Sequence, residues 1–242
     1  MGKDLSENIT VVISCTDTLS RELVKCLLKK NATVAVIAGS TQELISLSHF
    51  LSPDSSEKFL PFLTDPLDYI KCLDILAHLR EMYGGIDLVV TGLVNFCPLV
   101  EFTHFEARDW QRLTEHNINF FFSNRLILNH LRDKTSLYLS FGKHNQQHTD
   151  NQNNITDLIN SLRLEVTSII SAEFAGVKAR YHHLFLDLED MKVLGTGPPG
   201  KQAADYIMEL YTHGGINNES SPKNLVFQYL TPSILLKNLL EK

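Results

Sequence analysis

Three groups of residues in this 242-residue chain have types and spacing that bear on chemistry. The first, Gly195-Thr196-Gly197-Pro198-Pro199-Gly200-Lys201-Gln202, nearly spells GxxxxGK[ST]. That loop cradles phosphates on its backbone N–H groups and ligates magnesium through the final hydroxyl. Gln202 has no hydroxyl to offer, so the stretch reads as a Gly/Pro loop capping a helix that begins there. Weak anion binding at that helix N-terminus, helped by Lys201, is the chemical alternative. The second group is the histidines. His144 and His148 have only Asp150 near them, and adjacent His182 and His183 point to opposite faces of a strand. No metal site is expected, and the absence of GxSxG, HExxH and CxxC leaves hydrolase and zinc chemistry without support.

The third group is defined by what it lacks. Val11-Val12-Ile13-Ser14-Cys15-Thr16-Asp17-Thr18-Leu19-Ser20-Arg21-Glu22-Leu23 runs from a strand into a helix, where a nucleotide-binding α/β protein places glycines so that backbone can close on a pyrophosphate. No Gly occurs from Lys3 to Ala38.

The elements that must position these groups alternate. Ile9 to Ile13 is a buried strand. Leu23, Val24, Leu27 and Leu28 recur at helical spacing up to Asn31, which suits a left-handed cap. Val34 to Ile37 is a second strand closed by Gly39-Ser40, and Thr41 to Leu51 a second helix. Phe59 to Leu63 is a third strand, followed by Asp65 as an N-cap with Pro66 at the first helical position. Leu67, Ile70, Leu73, Leu76 and Leu79 stripe the next helix, which Gly84-Gly85 stops. Ile86 to Val90 is an unbroken apolar strand, as expected when both faces of a sheet are covered.

The second half continues with a long helix from Phe105 to Leu131 and a strand from Leu137 to Ser140. A polar loop from Lys143 to Asn154 precedes a long helix from Ile155 to Phe174. A strand from Tyr181 to Leu188, a helix from Gln202 to Tyr211 and a last strand from Val226 to Leu230 complete the order. Strand–helix alternation means right-handed crossovers and a parallel sheet. The expected fold is α/β, Rossmann-like and doubly wound: a mostly parallel seven-stranded sheet in the order 3-2-1-4-5-6-7, helices on both faces, and one domain over residues 1–242.

Composition narrows the partners. A net charge of −6 with no basic block argues against nucleic acid. No apolar run approaches the roughly 18 residues of a membrane span. Cys15, Cys26, Cys72 and Cys97 are scattered and read as reduced thiols, and the expected location is cytoplasmic. Met1-Gly2-Lys3-Asp4-Leu5-Ser6 fits the myristoylation consensus without a second anchoring signal. Asn8-Ile9-Thr10 and Asn154-Ile155-Thr156 fit glycosylation sequons without a secretory signal and read as polar turns.

In order and spacing, the elements resemble the short-chain dehydrogenase/reductase family over nearly the full length. Arg21 to Val34 is similar to its first helix running into its second strand. Asp65 stands where the family's third strand is followed by an adenine-contacting Asp, and Gly85 to Val90 resembles the fourth strand's lead-in. Trp110, Asn117, Phe121 and Phe122 resemble the helix carrying the catalytic Asn, and Glu173, Val177 and Arg180 the run into the sixth strand.

The residues that do the family's chemistry are changed. Ser14-Cys15 replaces the Thr-Gly opening TGxxxGxG, and the turn is one residue shorter. Ala38-Gly39-Ser40 supplies neither the acid that takes ribose hydroxyls nor the Arg that takes a 2′-phosphate. Thr91-Gly92-Leu93-Val94 stands in place of NNAG. The family's YxxxK uses a Tyr as proton donor with a Lys that lowers its pKa; here Thr156 and Asn160 hold those positions. Of the seven tyrosines, Tyr69, Tyr83, Tyr138, Tyr181, Tyr206, Tyr211 and Tyr229, none has Lys four residues on. The family's catalytic Ser falls near Ser140, and Asn117 keeps the remaining catalytic position.

The resemblance therefore implies a family member without dehydrogenase activity, serving as a non-catalytic interaction or assembly subunit or as a ligand-binding module. Its degenerate cleft would be walled by Ser14, Cys15, Asp65, Thr91 and Gly92, with no cofactor expected. The expected partner is a second copy or a related subunit: the apolar stripe of Ile155, Leu158, Ile159, Leu162, Val166, Ile169, Ile170 and Phe174 reads either as the face packed on the sheet of a monomer or, as the resemblance implies, as a face that packs against its copy in another subunit. The alternative is a divergent NAD(P)-dependent oxidoreductase of carbonyl or hydroxyl substrates, drawing on Ser140, Lys143 and the His-bearing loop.

Overall fold

The computed structural model describes residues 5–14, 18–51, 57–66, 68–91, 106–111, 114–115, 125–132, 136–144 and 180–187, together with 165, 169, 201, 204–205, 207–208 and 211–212. Six strands are β1 (Ile9–Ile13), β2 (Thr33–Ala38), β3 (Phe59–Leu63), β4 (Leu88–Thr91), β5 (Leu137–His144) and β6 (Arg180–Asp187). They form one sheet in the order β3-β2-β1-β4-β5-β6, and every pairing is parallel. The crossovers of the first half are α1 (Thr18–Lys29), α2 (Thr41–Phe50) and α3 (Tyr69–Tyr83). This is the expected doubly wound order; the expected seventh strand lies outside the described residues.

Both faces of the sheet are covered, which is why its central strands are predominantly apolar. Val12, Val34, Val36, Leu88, Val90, Leu137 and Leu139 pack with Leu19, Leu23, Val24 and Leu27 of α1 and with Ala204, Ile207, Met208 and Tyr211. Ile9, Val11, Ile13, Ala35, Ile37, Val89 and Tyr138 pack on the other face with Cys72, Leu76 and Leu79 of α3 and with Ile127, Leu128 and Leu131. Each fully buried aliphatic side chain contributes about 1.5–3 kcal/mol.

Local chemistry sets the helix ends. Asn31 takes φ 67, its N–H donates to Leu28 O at 2.9 Å, and Ala32 N–H donates to Leu27 O at 3.1 Å. These are the two bonds of a Schellman ending, as the Asn implied. Gly84 closes α3 in the left-handed conformation with φ 74. Asn8 Nδ2 donates to Tyr211 OH at 2.9 Å, tying the start of the chain to its late helical segment.

Several sequence expectations shift. Asp65 is not the cap of α3. Its carbonyl accepts from Asp68 N–H at 2.9 Å, closing a turn that seats Pro66 at its favoured second position. Asp68 is the N-cap, its side chain accepting the Lys71 N–H. The helix therefore starts one turn late, and Ile70 is 57% exposed while Cys72, Leu76 and Leu79 form the buried line. The fourth strand begins at Leu88, with Ile86 in a separate parallel bridge to Leu131. The long helix is helical at 107–111, 114–115 and 125–127 and tightens into a 3-10 turn at Leu128–His130. Lys143 and His144, expected in a loop, extend β5 because β6 continues beside them to Asp187 and gives their backbone a partner.

Candidate functional site

In an open parallel sheet, ligands bind beyond the carboxyl ends of the strands where the order reverses; here that is between β1 and β4. The described candidate residues gather at this edge. Asp65 follows β3, Ser14 follows β1, Thr91 ends β4, and Ser140 is Thr91's register partner on β5. Cys15, Gly92, Asn117, Thr156 and Asn160 lie outside the described residues.

Ser14 is 8% exposed with φ 62, a left-handed backbone that costs an L-residue about 1–2 kcal/mol. Its N–H donates to Ile37 O at 2.9 Å and so is already engaged within the sheet. At the end of β2, the Ser40 side chain caps α2 by accepting the Glu43 N–H at 3.3 Å. Glu43 Oε2 reaches back to accept the Gly39 N–H at 3.0 Å. Thr64 N–H donates to Ala38 O at 2.9 Å, joining the ends of β2 and β3.

The other half of the edge is made of hydroxyls. Thr91 Oγ1 and Tyr138 OH lie 3.1 Å apart. Tyr138 is 1% exposed, and Ser140 beyond it is fully buried. Tyr138 and Glu43 were not singled out as site residues by sequence. Tyr138 lacks the family's Lys spacing, and Glu43 reaches the edge only by folding back from its helix. Cys72 is no nucleophile: burial, with Asp68 and Asp65 nearby, pushes its thiol up to about 12, and only the thiolate reacts. Among the described residues no three metal-ligating side chains come together.

The opposite edge of the sheet is built around one carboxylate. Asp87 Oδ2 accepts the Ile9 N–H at 2.9 Å, and its Oδ1 pairs with Arg132 Nε at 3.0 Å. Arg132 Nη2 also donates to Tyr83 O at 3.0 Å and Gly85 O at 3.2 Å. Gly85 has φ 137, and a Cβ there would lie 2.7 Å from Arg132 Cα. This cluster is remote from the reversal point and fastens β1 and β4 at their starts.

Residues 8–136 match the short chain dehydrogenase family. This is more than half of the chain, and the protein belongs to that family. No curated protein matches it by sequence. Its fold is similar to that of a short-chain dehydrogenase/reductase, a glucose/ribitol dehydrogenase, from Brucella melitensis, with TM-score 0.69 and 16% identity over 88% of this chain and 92% of that one. It is also similar to a short chain oxidoreductase from Pseudomonas aeruginosa PAO1 described as containing an atypical catalytic center, with TM-score 0.70 and 16% identity over 87% and 92%. A short chain dehydrogenase from Burkholderia cenocepacia J2315, in complex with NADP, matches with TM-score 0.68 and 11% identity over 90% and 95%. At such identities the likenesses show the fold alone. Among the described residues, no helix is long and apolar enough to cross a membrane.

Proposed function

We propose that this chain is a short-chain dehydrogenase fold without dehydrogenase activity, a non-catalytic interaction or assembly subunit that keeps a crevice able to hold a ligand. The observation that carries this reading is the absence of any Tyr with Lys four residues on. A Thr at position 156 is far too weak an acid to replace that Tyr, and Asn160 supplies no positive field. The nicotinamide dinucleotide that the fold implies also fits the crevice poorly at its phosphate end. Ser14 carries a side chain in the left-handed backbone at the end of β1 and commits its N–H to Ile37. The subunit role is supported by exposed apolar residues on the helical segments of the second half, Trp110 at 42% and Ile169 at 55%. A second copy or a related subunit is the proposed partner.

Restoration tests the reading better than a silent assay. Thr156→Tyr with Asn160→Lys is expected to show no NAD(P)H-linked turnover of a generic carbonyl, because a proton donor without a cofactor held in register has no hydride transfer to assist. Turnover by that double variant would contradict the reading. A second reading has one observation behind it: Thr91 at the end of β4 has Tyr138 OH 3.1 Å away and Ser140 as its register partner on β5, so three hydroxyls share this part of the sheet. A divergent NAD(P)-dependent reductase would draw its proton there, and wild-type turnover abolished by Tyr138→Phe or Ser140→Ala would establish it.

A further inference from the structure

The 3-10 turn at Leu128–His130 lies against α3 and closes on the start of β4. His130 O accepts the Ile86 N–H at 3.0 Å, and Ile86 O accepts the Arg132 N–H at 2.9 Å. These bonds make the parallel bridge between Ile86 and Leu131. Past the bridge the chain is pinned, because Arg132 pairs with Asp87 and holds Tyr83 O and Gly85 O. Around it, Ile127, Leu128 and Leu131 are buried in the α3-side core. His130 itself is half-buried.

The seat of that histidine suits a neutral ring. Nδ1 is buried and has no hydrogen-bond partner among the described residues. A neutral imidazole meets this by keeping its proton on Nε2 and leaving Nδ1 a bare lone pair. A second proton must go to Nδ1, where it becomes a buried, charged donor with no acceptor. The surrounding charges do not compensate. Arg80 of α3 contributes a positive charge, and Leu128 and Asn129 of the turn carry none. Asp87 is already taken by Arg132 and by the Ile9 N–H. Burial, and then Arg80, accordingly hold the imidazole pKa below its ordinary 6.5. We propose that His130 is an acid-operated latch: a proton on its ring expels it from its seat, opens the Ile86–Leu131 bridge and frees the turn together with the helical stretch at 125–127. Arg132 and the rest of the sheet stay in place. The three buried aliphatic side chains keep the open form a minor one, so the latch sets how often the turn opens. The device is independent of whether the chain is catalytic.

Native-state hydrogen exchange of the full-length protein tests it at about pH 8 and about pH 5, on either side of the ordinary histidine value. After correction for intrinsic exchange, the protection of the Ile86 and Arg132 amides is expected to fall several-fold in acid, while amides at the centre of β1 and β2 hold theirs. His130→Gln, neutral at both pH values, should keep the Ile86 and Arg132 protection the same in both. Arg80→Gln changes an exposed side chain and should shrink the acid loss. Three results would each overturn the proposal: equal wild-type protection at the two pH values, an acid loss that persists in His130→Gln, or a loss shared equally by the centre of the sheet. Titration of the His130 ring with Ile86 and Arg132 undisturbed would overturn it too, since the ring would then swing into water without moving the turn. The wild-type comparison decides the matter even where a variant fails to fold.

Discussion

The two edges of the sheet are made by the same strands and differ in what they hold. At the amino edge, Asp87 ties β1 to β4 and to Arg132, and Gly85 stands where any side chain would strike Arg132's backbone. At the carboxyl edge, Ser14 puts a side chain on left-handed backbone, and β2 ends in Ala38-Gly39-Ser40 with no charge of its own. The fold needs the first edge whatever the protein does, and hydride transfer needs the second only in a catalyst. On the proposed reading, the chain keeps the family's frame while its carboxyl edge departs from the family's chemistry. The two cores and the Asp87 cluster draw on almost none of the residues that changed.

Substitutions at the amino edge should show the largest effects. Gly85→Ala combines an unfavourable φ with a backbone collision and is expected to cost about 3 kcal/mol or more in denaturant unfolding. Asp87→Ala, which orphans the Ile9 N–H and the Arg132 guanidinium, should cost about 2–3 kcal/mol. Arg132→Ala should add little once Asp87 is gone. Losses under about 1 kcal/mol for both Gly85→Ala and Asp87→Ala would erase the distinction between the edges.

At the carboxyl edge, Ser14→Gly should be neutral to slightly stabilising. Relief of the left-handed cost of about 1–2 kcal/mol is offset by the entropy glycine gains in the unfolded chain, about 0.5–1 kcal/mol. A marked loss of stability there would mean that the Ser14 side chain is structurally required.

The smallest effect concerns pH. His130, whose carbonyl accepts the Ile86 N–H at 3.0 Å, has its imidazole pKa held below the ordinary 6.5 by burial and by the positive charge of Arg80. The unfolded chain binds the proton more readily, so stability is full above about pH 6.5 and declines as pH falls through that value and the lower native one. His130→Gln should flatten this limb in urea titrations at several pH values; an unchanged slope would assign the acid sensitivity to other groups.

Sequence pattern was enough for the frame. Val/Ile runs gave β1, β2 and β4 because both faces are buried, and Asn31 and Gly84 announced their helix ends through the φ they alone take cheaply. It was less informative wherever two local signals competed. Asp65 and Asp68 both suit an N-cap, and the Pro66 turn decided between them. Lys143 and His144 looked like loop until β6 lay beside them. Arg132 could not be found at all, because its partners lie at positions 83, 85 and 87 and no local spacing links them. At the site, the sequence showed what the β2 end lacked, and only the folded chain showed Glu43 reaching over it.

Calorimetric titration of the purified protein with NAD+, NADH, NADP+ and NADPH tests the central claim most directly. The account predicts no binding in the physiological range for any of the four, and correspondingly none of the roughly 2.7 kcal/mol of added stability that a true cofactor gives at 100-fold excess over its Kd. A micromolar dissociation constant for any one of them would contradict it and return the chain to the active dehydrogenases.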